Sequence, residues 1–333
     1  MLLNYITKRV LQLIPLLVAI SIIIFVIIQL PPGDYLTTFI RQQELSGREV
    51  DQSSIINMTK RYGLDKPVYE QYFFWMKGIL TKLDFGHSLQ WSQPVSQILQ
   101  ERLPTTIGIA LLTLIVTWGC AIPIGIYSAT HQYSFGDYFF IFIGFIGLAV
   151  PGFLLALAAV YFIFIHTGAS LTGLFSTEYV NAAWSWAKVM DMLPRLGLIV
   201  FIVGLSQTAG LIRQMRAMLL DELQKQYVIT ARAKGLEEKK LLWKYPIRMA
   251  VNPMVSTIGW ILPGLISGEM VVSIVLSMPT MGPIVRRALI SQDMYLAGSF
   301  LLIVSTLTVV GTLISDILLA ILDPRIRFGG VSE

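Results

Sequence analysis

Charge is scarce in this sequence. Only 14% of its 333 residues are Asp, Glu, Lys or Arg, well below the roughly 25% of ordinary soluble domains. That shortage excludes a large hydrated surface, and with 55% hydrophobic residues a bilayer is the expected solvent. Cysteine is scarcer still: the single Cys120, inside an apolar stretch, excludes a disulfide framework or a cysteine-based metal site within the chain. The three histidines, His87, His131 and His166, are far apart in sequence, and their predicted sides are outer, inner and outer. HExxH helices, GxSxG elbows and glycine-rich phosphate loops with lysine are missing. Nothing in these residues recommends an integral-membrane enzyme, and a passive channel is a further reading.

Six uncharged runs approach the roughly 20 residues that cross a bilayer. They are Val10 to Leu30, Leu103 to Tyr127, Tyr138 to Ile165, Leu196 to Ile212, Met249 to Gly268 and Met294 to Ser315. Pro194 and Arg195 are expected to mark the outer end of the fourth. The first exceeds the usual 7–15-residue core of a secretory signal and ends at Pro31, Pro32 and Gly33 without a small-residue cleavage pattern, so it reads as a retained anchor. The formal charge is +5, and the segment Arg213 to Arg248 carries nine Lys or Arg against four acids, which accounts for all of it. A basic loop between apolar spans belongs on the cytoplasmic side, which argues against nucleic acid as the basic partner. With six spans, both termini share that side.

The expectation is an all-α membrane protein of six transmembrane helices. It divides into an anchor at 1–30, an external segment at 31–102, a five-helix core at 103–323 containing a loop at 213–248, and a tail at 324–333. In the external segment, Pro67, Val68, Tyr69, Gln71, Tyr72, Phe73, Trp75 and Met76 place apolar side chains every three or four residues, which predicts a helix packed on the outer ends of the spans. Pro123 and Pro151 are expected to kink spans two and three, and Gly144, Gly147 and Gly152 to allow close helix packing. Trp184 and Trp186 read as interface anchors.

The loop after span four reads Tyr227-Val228-Ile229-Thr230-Ala231-Arg232-Ala233-Lys234-Gly235-Leu236, then Glu237, Glu238 and a second helical stretch to Arg248. Ala231 and Ala233 would let a short helix seat closely against another protein, and Gly235 can take the positive φ that ends a helix. This string resembles the coupling loop of ABC importer permeases of the dipeptide, oligopeptide and nickel family. Their run Tyr-Val-x-Thr-Ala-Arg-Ala-Lys-Gly-Leu is matched at Tyr227, Thr230, Ala231, Arg232, Ala233, Lys234, Gly235 and Leu236. Against the broader importer pattern Glu-Ala-Ala-x-x-x-Gly, Ile229 replaces the Glu and Thr230 the first Ala.

The resemblance extends through Arg61-Tyr62-Gly63-Leu64-Asp65-Lys66-Pro67, Gln71-Tyr72, Trp75, Asp84-Phe85-Gly86-His87-Ser88, Pro94-Val95, Arg102-Leu103-Pro104-Thr105-Thr106 and the tail Leu322-Asp323-Pro324-Arg325-Ile326-Arg327. It implies a multi-pass subunit of a prokaryotic inner membrane. Its implied partners are two ATP-binding subunits, a related second permease and an extracytoplasmic solute-binding protein. This chain would bind no cofactor; ATP and Mg would sit on the partner ATPases. Where peptide permeases tend to read Glu-Thr-Val-Phe-x-x-Pro-Gly-x-Gly, this chain reads Ser273 to Gly282, with Ser273 for the Glu and an acid four residues earlier at Glu269. Peptide and oligosaccharide both stand as solute classes. Glu269, Ser273 and Asp316 are the candidate pathway residues. Glu269 also reads as a solvated outer-face carboxylate, and Asp316 as a structural pairing partner.

Overall fold

The computed structural model describes residues 2–30, 56, 59, 66–88, 90–291 and 293–322. Pro31 to Gly33, Arg61 to Asp65, and Asp323 to Arg327 of the tail motif lie outside the described residues. Nearly everything described is helical. In chain order the elements are α1 Leu2–Gln29, α2 Val68–Lys82, β1 His87–Ser88, β2 Gln93–Pro94, α3 Val95–Thr130, α4 Phe135–Ala149, α5 Gly152–Thr167 and α6 Trp186–Leu223. There follow α7 Gln226–Ala233, α8 Glu238–Lys244, α9 Pro246–Val255, α10 Ile258–Val275, α11 Met281–Ile290 and α12 Met294–Leu322.

Among the described residues, α1, α3, α6 and α12 are long and apolar enough to cross a membrane, and α4 with α5 forms a fifth candidate if the bent pair is one span. Two expected spans are broken. The run Tyr138 to Ile165 divides at Val150–Pro151, where α4 and α5 are bent by 105°. Pro151 has no N–H to continue the ladder and holds the preceding residue out of the helical region, and Val150 accordingly sits at φ −99°, ψ 124°. The run Met249 to Gly268 divides between α9 and α10. There the hydroxyls of Ser256 and Thr257 donate to the carbonyls of Pro253 and Met254 at 2.5 and 2.7 Å, competing with the helical ladder. Pro123 interrupts nothing in the helical assignment of α3.

The expected start of span four at Leu196 is also corrected. Helix α6 begins at Trp186, capped by Ser185, whose side chain accepts from Lys188 N, and runs through Pro194. Its first turns carry Lys188, Asp191 and Arg195, so an uncharged-run criterion truncates it. Those charges are satisfied locally. Lys188 donates to the carbonyls of Ala182 and Val180 at 2.7 and 3.4 Å and lies over the rings of Phe175 and Trp184. Arg195 donates to Thr172 O at 2.5 Å and pairs with Asp191, which itself accepts from Ser176 N at 2.7 Å.

The residues pack into two compact units. The first is built on Thr106–Pro279, with the described residues of 1–11 and 307–333. One cluster joins Ile109, Ile199, Val203, Leu265 and Val272; another joins Ala121, Met215, Leu219, Ile247 and Met254. In lipid the solvent is as apolar as these side chains, so helix association depends on close packing and not on apolar burial. Small residues supply it: a Cβ on Gly125 would lie 2.6 Å from Met215 Cβ, and one on Gly259 would lie 2.6 Å from Thr312 Cα. Gly147 meets Leu205, and Gly144 meets Ala209, in the same way.

The second unit comprises the described residues of 12–105 and 280–306. The predicted external helix is present as α2. Its Trp75 and Ile79 pack with Ile24 and Phe25 of α1 and Leu302 of α12. The motif Asp84 to Ser88 closes this unit. Phe85 O accepts from Trp75 Nε1 at 3.2 Å and from Ser299 Oγ at 3.3 Å. Gly86 takes φ +93° against Tyr295, whose ring would lie 2.6 Å from an added Cβ. Ser88 Oγ donates to Asp293 Oδ2 at 2.5 Å, while Asp293 Oδ1 accepts from Leu296 N and caps α12. Burial pushes the Asp293 carboxyl above its usual range, partly offset by these hydrogen bonds and by His87.

Candidate functional site

The basic loop folds as a compact helix-turn-helix. Gln224 and Lys225 join α6 to α7, and their N–H groups donate back to Asp221 and Glu222 of α6. Val228, fully buried, anchors α7, and Leu241, equally buried, anchors α8. The Tyr227 hydroxyl donates to Glu222, and its ring lies 6.3 Å from that of Tyr245. Burial raises the Tyr227 phenol above its ordinary range, and Glu222 adds to the effect. Thr230 Oγ1 donates back to Gln226 O at 2.8 Å.

The end of α7 is set by backbone chemistry. Gly235 lies at φ +78°. Its N–H donates to Arg232 O at 3.0 Å, and that of Leu236 donates to Ala231 O at 3.3 Å. These are the two bonds of a Schellman motif, and they satisfy carbonyls that the helix would otherwise leave open. Arg232 then reaches across the turn to Glu238 in a two-point contact, the second at 3.3 Å. That contact raises the Arg232 pKa and holds the Glu238 carboxyl below the usual range. Ile229, Arg232, Ala233 and Lys234 remain exposed, and Ala231 is half-buried. The hairpin is thus braced from within and leaves Ile229, Ala233 and Lys234 outward.

The candidate pathway residues fall in two places. Glu269 and Ser273 lie one turn apart on α10, both at 0% exposure. A solvated outer-face Glu269 is therefore ruled out: the carboxylate is inside the first unit. Ser273 Oγ donates to Met270 O at 2.9 Å. Asp316 is elsewhere, paired with Arg9 of α1 at 3.3 Å. Its neighbour Ser315 donates to Val255 O at 2.6 Å, before α10 begins, whereas Glu269 lies about 17 Å along that helix at 1.5 Å per residue. Asp316 takes the pairing reading and does not join the other two.

Sequence reasoning missed a second polar junction. Asp137, with a side chain 2% exposed, receives Arg216 Nε at 3.2 Å and Nη2 at 3.0 Å. It also accepts from Tyr133 N at 3.1 Å, and its own N–H donates to the capping hydroxyl of Ser134. The available signal was the Ser134-x-x-Asp137 helix start, a capping pattern that places an acid where α4 begins. The partner, 79 residues away, carries no sequence signal.

Apolar helices long enough to cross a membrane, a bent helix pair and a braced basic hairpin are the features of a multi-pass membrane protein. The chain belongs to the family of binding-protein-dependent transport system inner membrane components, which it matches over residues 121–328, with that family's N-terminal region matched over residues 2–110. It is 34% identical to the oligopeptide transport system permease protein AppB of Bacillus subtilis, over 97% of this chain and 99% of that protein. With OppB of Haemophilus influenzae, also named an oligopeptide transport system permease protein, it shares 29% identity over 98% of this chain and all of the relative. It is also 29% identical, over 98% of its length and 99% of the other, to the inner membrane ABC transporter permease protein YejB of Escherichia coli O157:H7. The chain is accordingly a permease component of a binding-protein-dependent transporter, a multi-pass protein of the inner membrane.

Proposed function

We propose that this permease imports di- or oligopeptides, and that the hairpin from Tyr227 to Leu236 couples it to ATP hydrolysis in partner subunits. The observation that carries the reading is the braced hairpin itself: a short helix tied to the end of α6 by the Tyr227–Glu222 contact and to α8 by the Gly235 turn and the Arg232–Glu238 contact, with Ile229, Ala233 and Lys234 exposed. A helix held this way transmits force to α6 with little loss. Peptide as solute is supported by the printed names of AppB and OppB. Oligosaccharide is the second reading, favoured by Ser273 where peptide permeases tend to carry Glu.

The proposed assembly contains two ATP-binding subunits, a related second permease and an extracytoplasmic binding protein. This chain holds no cofactor; ATP and Mg bind the ATPases. Six crossings follow if the α4–α5 pair is one span and the shorter apolar α10 another, which puts the hairpin and both termini in the cytoplasm. We divide the chain in this reading into an anchor at 1–30, an external segment at 31–102, a core at 103–323 and a tail at 324–333. Tyr227, Thr230, Ala231, Arg232, Ala233, Lys234, Gly235 and Leu236 are the proposed coupling residues, and Glu269 and Ser273 the proposed pathway residues. Closure of the ATPases would bias two states of the spans, which requires nucleotide to bind those states with different affinity.

The test is the complex reconstituted in liposomes with its binding protein and oligopeptides. Ala231→Trp should abolish peptide-stimulated ATP hydrolysis while the chain inserts normally. Undiminished stimulation would remove the coupling role. Calorimetry of the binding protein with peptides and with oligosaccharides decides the solute class.

A further inference from the structure

The Asp137–Arg216 junction stands where the proposed drive from the hairpin would enter the membrane helices. Helix α6 runs without interruption from Trp186 to Leu223, and only Gln224 and Lys225 separate it from α7. Arg216 lies two turns before that end. Its guanidinium grips Asp137 in the first turn of α4 by two parallel hydrogen bonds, a geometry that fixes orientation as well as distance. Further along, α4 and α6 stay in backbone-close contact. A Cβ on Gly144 would lie 3.0 Å from Ala209 Cβ, and one on Gly147 would lie 2.6 Å from Leu205 Cγ. The two helices are thus locked at three levels, one ionic and two steric. Beyond Gly147 the chain turns by 105° at Val150–Pro151 into α5, which meets α6 more loosely, a Cβ on Gly152 lying 3.9 Å from Ile202 and Ala156 sharing a cluster with Ile199 and Val203.

We propose that Asp137 and Arg216 are positioning residues that make α4 and α6 move as one body with the hairpin, delivering its displacement to the Val150–Pro151 bend. The steric contacts at Gly144 and Gly147 resist approach but not sliding along the helix axes. The bidentate pair resists sliding, because axial displacement of one helix would break both hydrogen bonds at once. Asp137 is itself held from behind by Tyr133 N, so the load reaches the α3–α4 turn as well. This inference rests on the coupling reading of the hairpin.

The experiment uses the full complex in liposomes and reads solute uptake and ATP hydrolysis separately, as solute moved per ATP. Asp137→Asn and Arg216→Gln should assemble and hydrolyse ATP while that ratio falls at least tenfold. Arg216→Lys, which keeps the charge but not the fork, should fall between them and the wild type. A purely structural pair would lower the amount of complex, or both rates together, with the ratio unchanged, and that result overturns the proposal. If a single variant fails to assemble because it strands a buried charge, the double variant Asp137→Asn/Arg216→Gln removes both charges and is read instead. An unchanged ratio there, or failure of the double variant to assemble, assigns the pair to stability alone and also overturns it. Ala231→Trp in parallel separates the two claims. If it abolishes peptide-stimulated ATP hydrolysis while the Asp137 and Arg216 variants keep the wild-type ratio, only this inference falls; if it leaves that stimulation undiminished, the coupling reading falls with it.

Discussion

Replacing Gly235 separates a backbone requirement from a steric one. A Cβ at this position would meet nothing within 4 Å, so side-chain size alone costs nothing inside the chain. The cost comes from φ +78°, a conformation that places an L-residue's Cβ against the following carbonyl at about 1–2 kcal/mol. Gly235→Ala should therefore lower the population of the closed hairpin turn about 5- to 30-fold relative to its alternatives. Gly235→Asn should lose less, because Asn tolerates the left-handed region. Gly235→Pro removes the N–H that donates to Arg232 O at 3.0 Å and imposes φ near −65°, a loss on the order of 3 kcal/mol. Peptide-stimulated ATP hydrolysis in reconstituted complexes should rank glycine, asparagine, alanine, proline in descending order. The reasoning is refuted if Asn falls below Ala, since activity would then follow side-chain volume and not backbone conformation.

Three further outcomes follow from the geometry. Ser88→Ala should cost about 1.5–3 kcal/mol, because it withdraws a hydrogen bond at 2.5 Å from the buried carboxylate of Asp293; an unaltered melting temperature in detergent would contradict this. Gly86→Ala should be worse than Ser88→Ala in the same assay, as its Cβ would overlap the Tyr295 ring and sit at φ +93°. Carboxyl NMR should find Glu238 titrating below an ordinary glutamate and returning to the ordinary range in Arg232→Gln. Because the Glu238 pKa is lowered in the fold, the pair's contribution is present above the ordinary glutamate value and disappears as pH falls through the lowered one. Identical titration in both proteins would show that the contact is not populated.

What the sequence made legible was local. Gly235 could be read as a helix-ending turn because only a few residue types tolerate positive φ, and α2 could be read from its apolar spacing because one face had to be buried. The breaks in the third and fifth runs were hidden because hydropathy measures what a segment is dissolved in, not whether its ladder continues. At Val150–Pro151 the signal was present in Pro151 but gave a kink, not a 105° turn. At Ser256–Thr257 it rested on hydroxyl hydrogen bonds that only coordinates reveal. The start of α6 was misplaced because charge was taken as a boundary, although Lys188, Asp191 and Arg195 share one helical face and are neutralised there. In the hairpin, the small residues Ala231 and Ala233 were readable, whereas the brace from Arg232 to Glu238 was not. Pairs such as Asp137 with Arg216 and Ser88 with Asp293 are set by tertiary packing and lay beyond any local pattern.

The charged start of α6 bears on how the chain is made. A translocon-inserted helix loses about 2.5–3.5 kcal/mol for each Lys, Arg or Asp carried to mid-membrane, and less near its ends. Apart from Asp191, which pairs with Arg195 within α6, the groups that receive these cations come earlier in the chain. The carbonyls of Thr172, Val180 and Ala182 and the rings of Phe175 and Trp184 have all left the ribosome before Lys188 and Arg195. The segment Gly168 to Ser185 therefore supplies the groups that receive these cations before the cations themselves are made. Moving that segment downstream of α6 by circular permutation would preserve every final contact yet leave Lys188 without its carbonyl and ring partners, and Arg195 with Asp191 alone, during biogenesis.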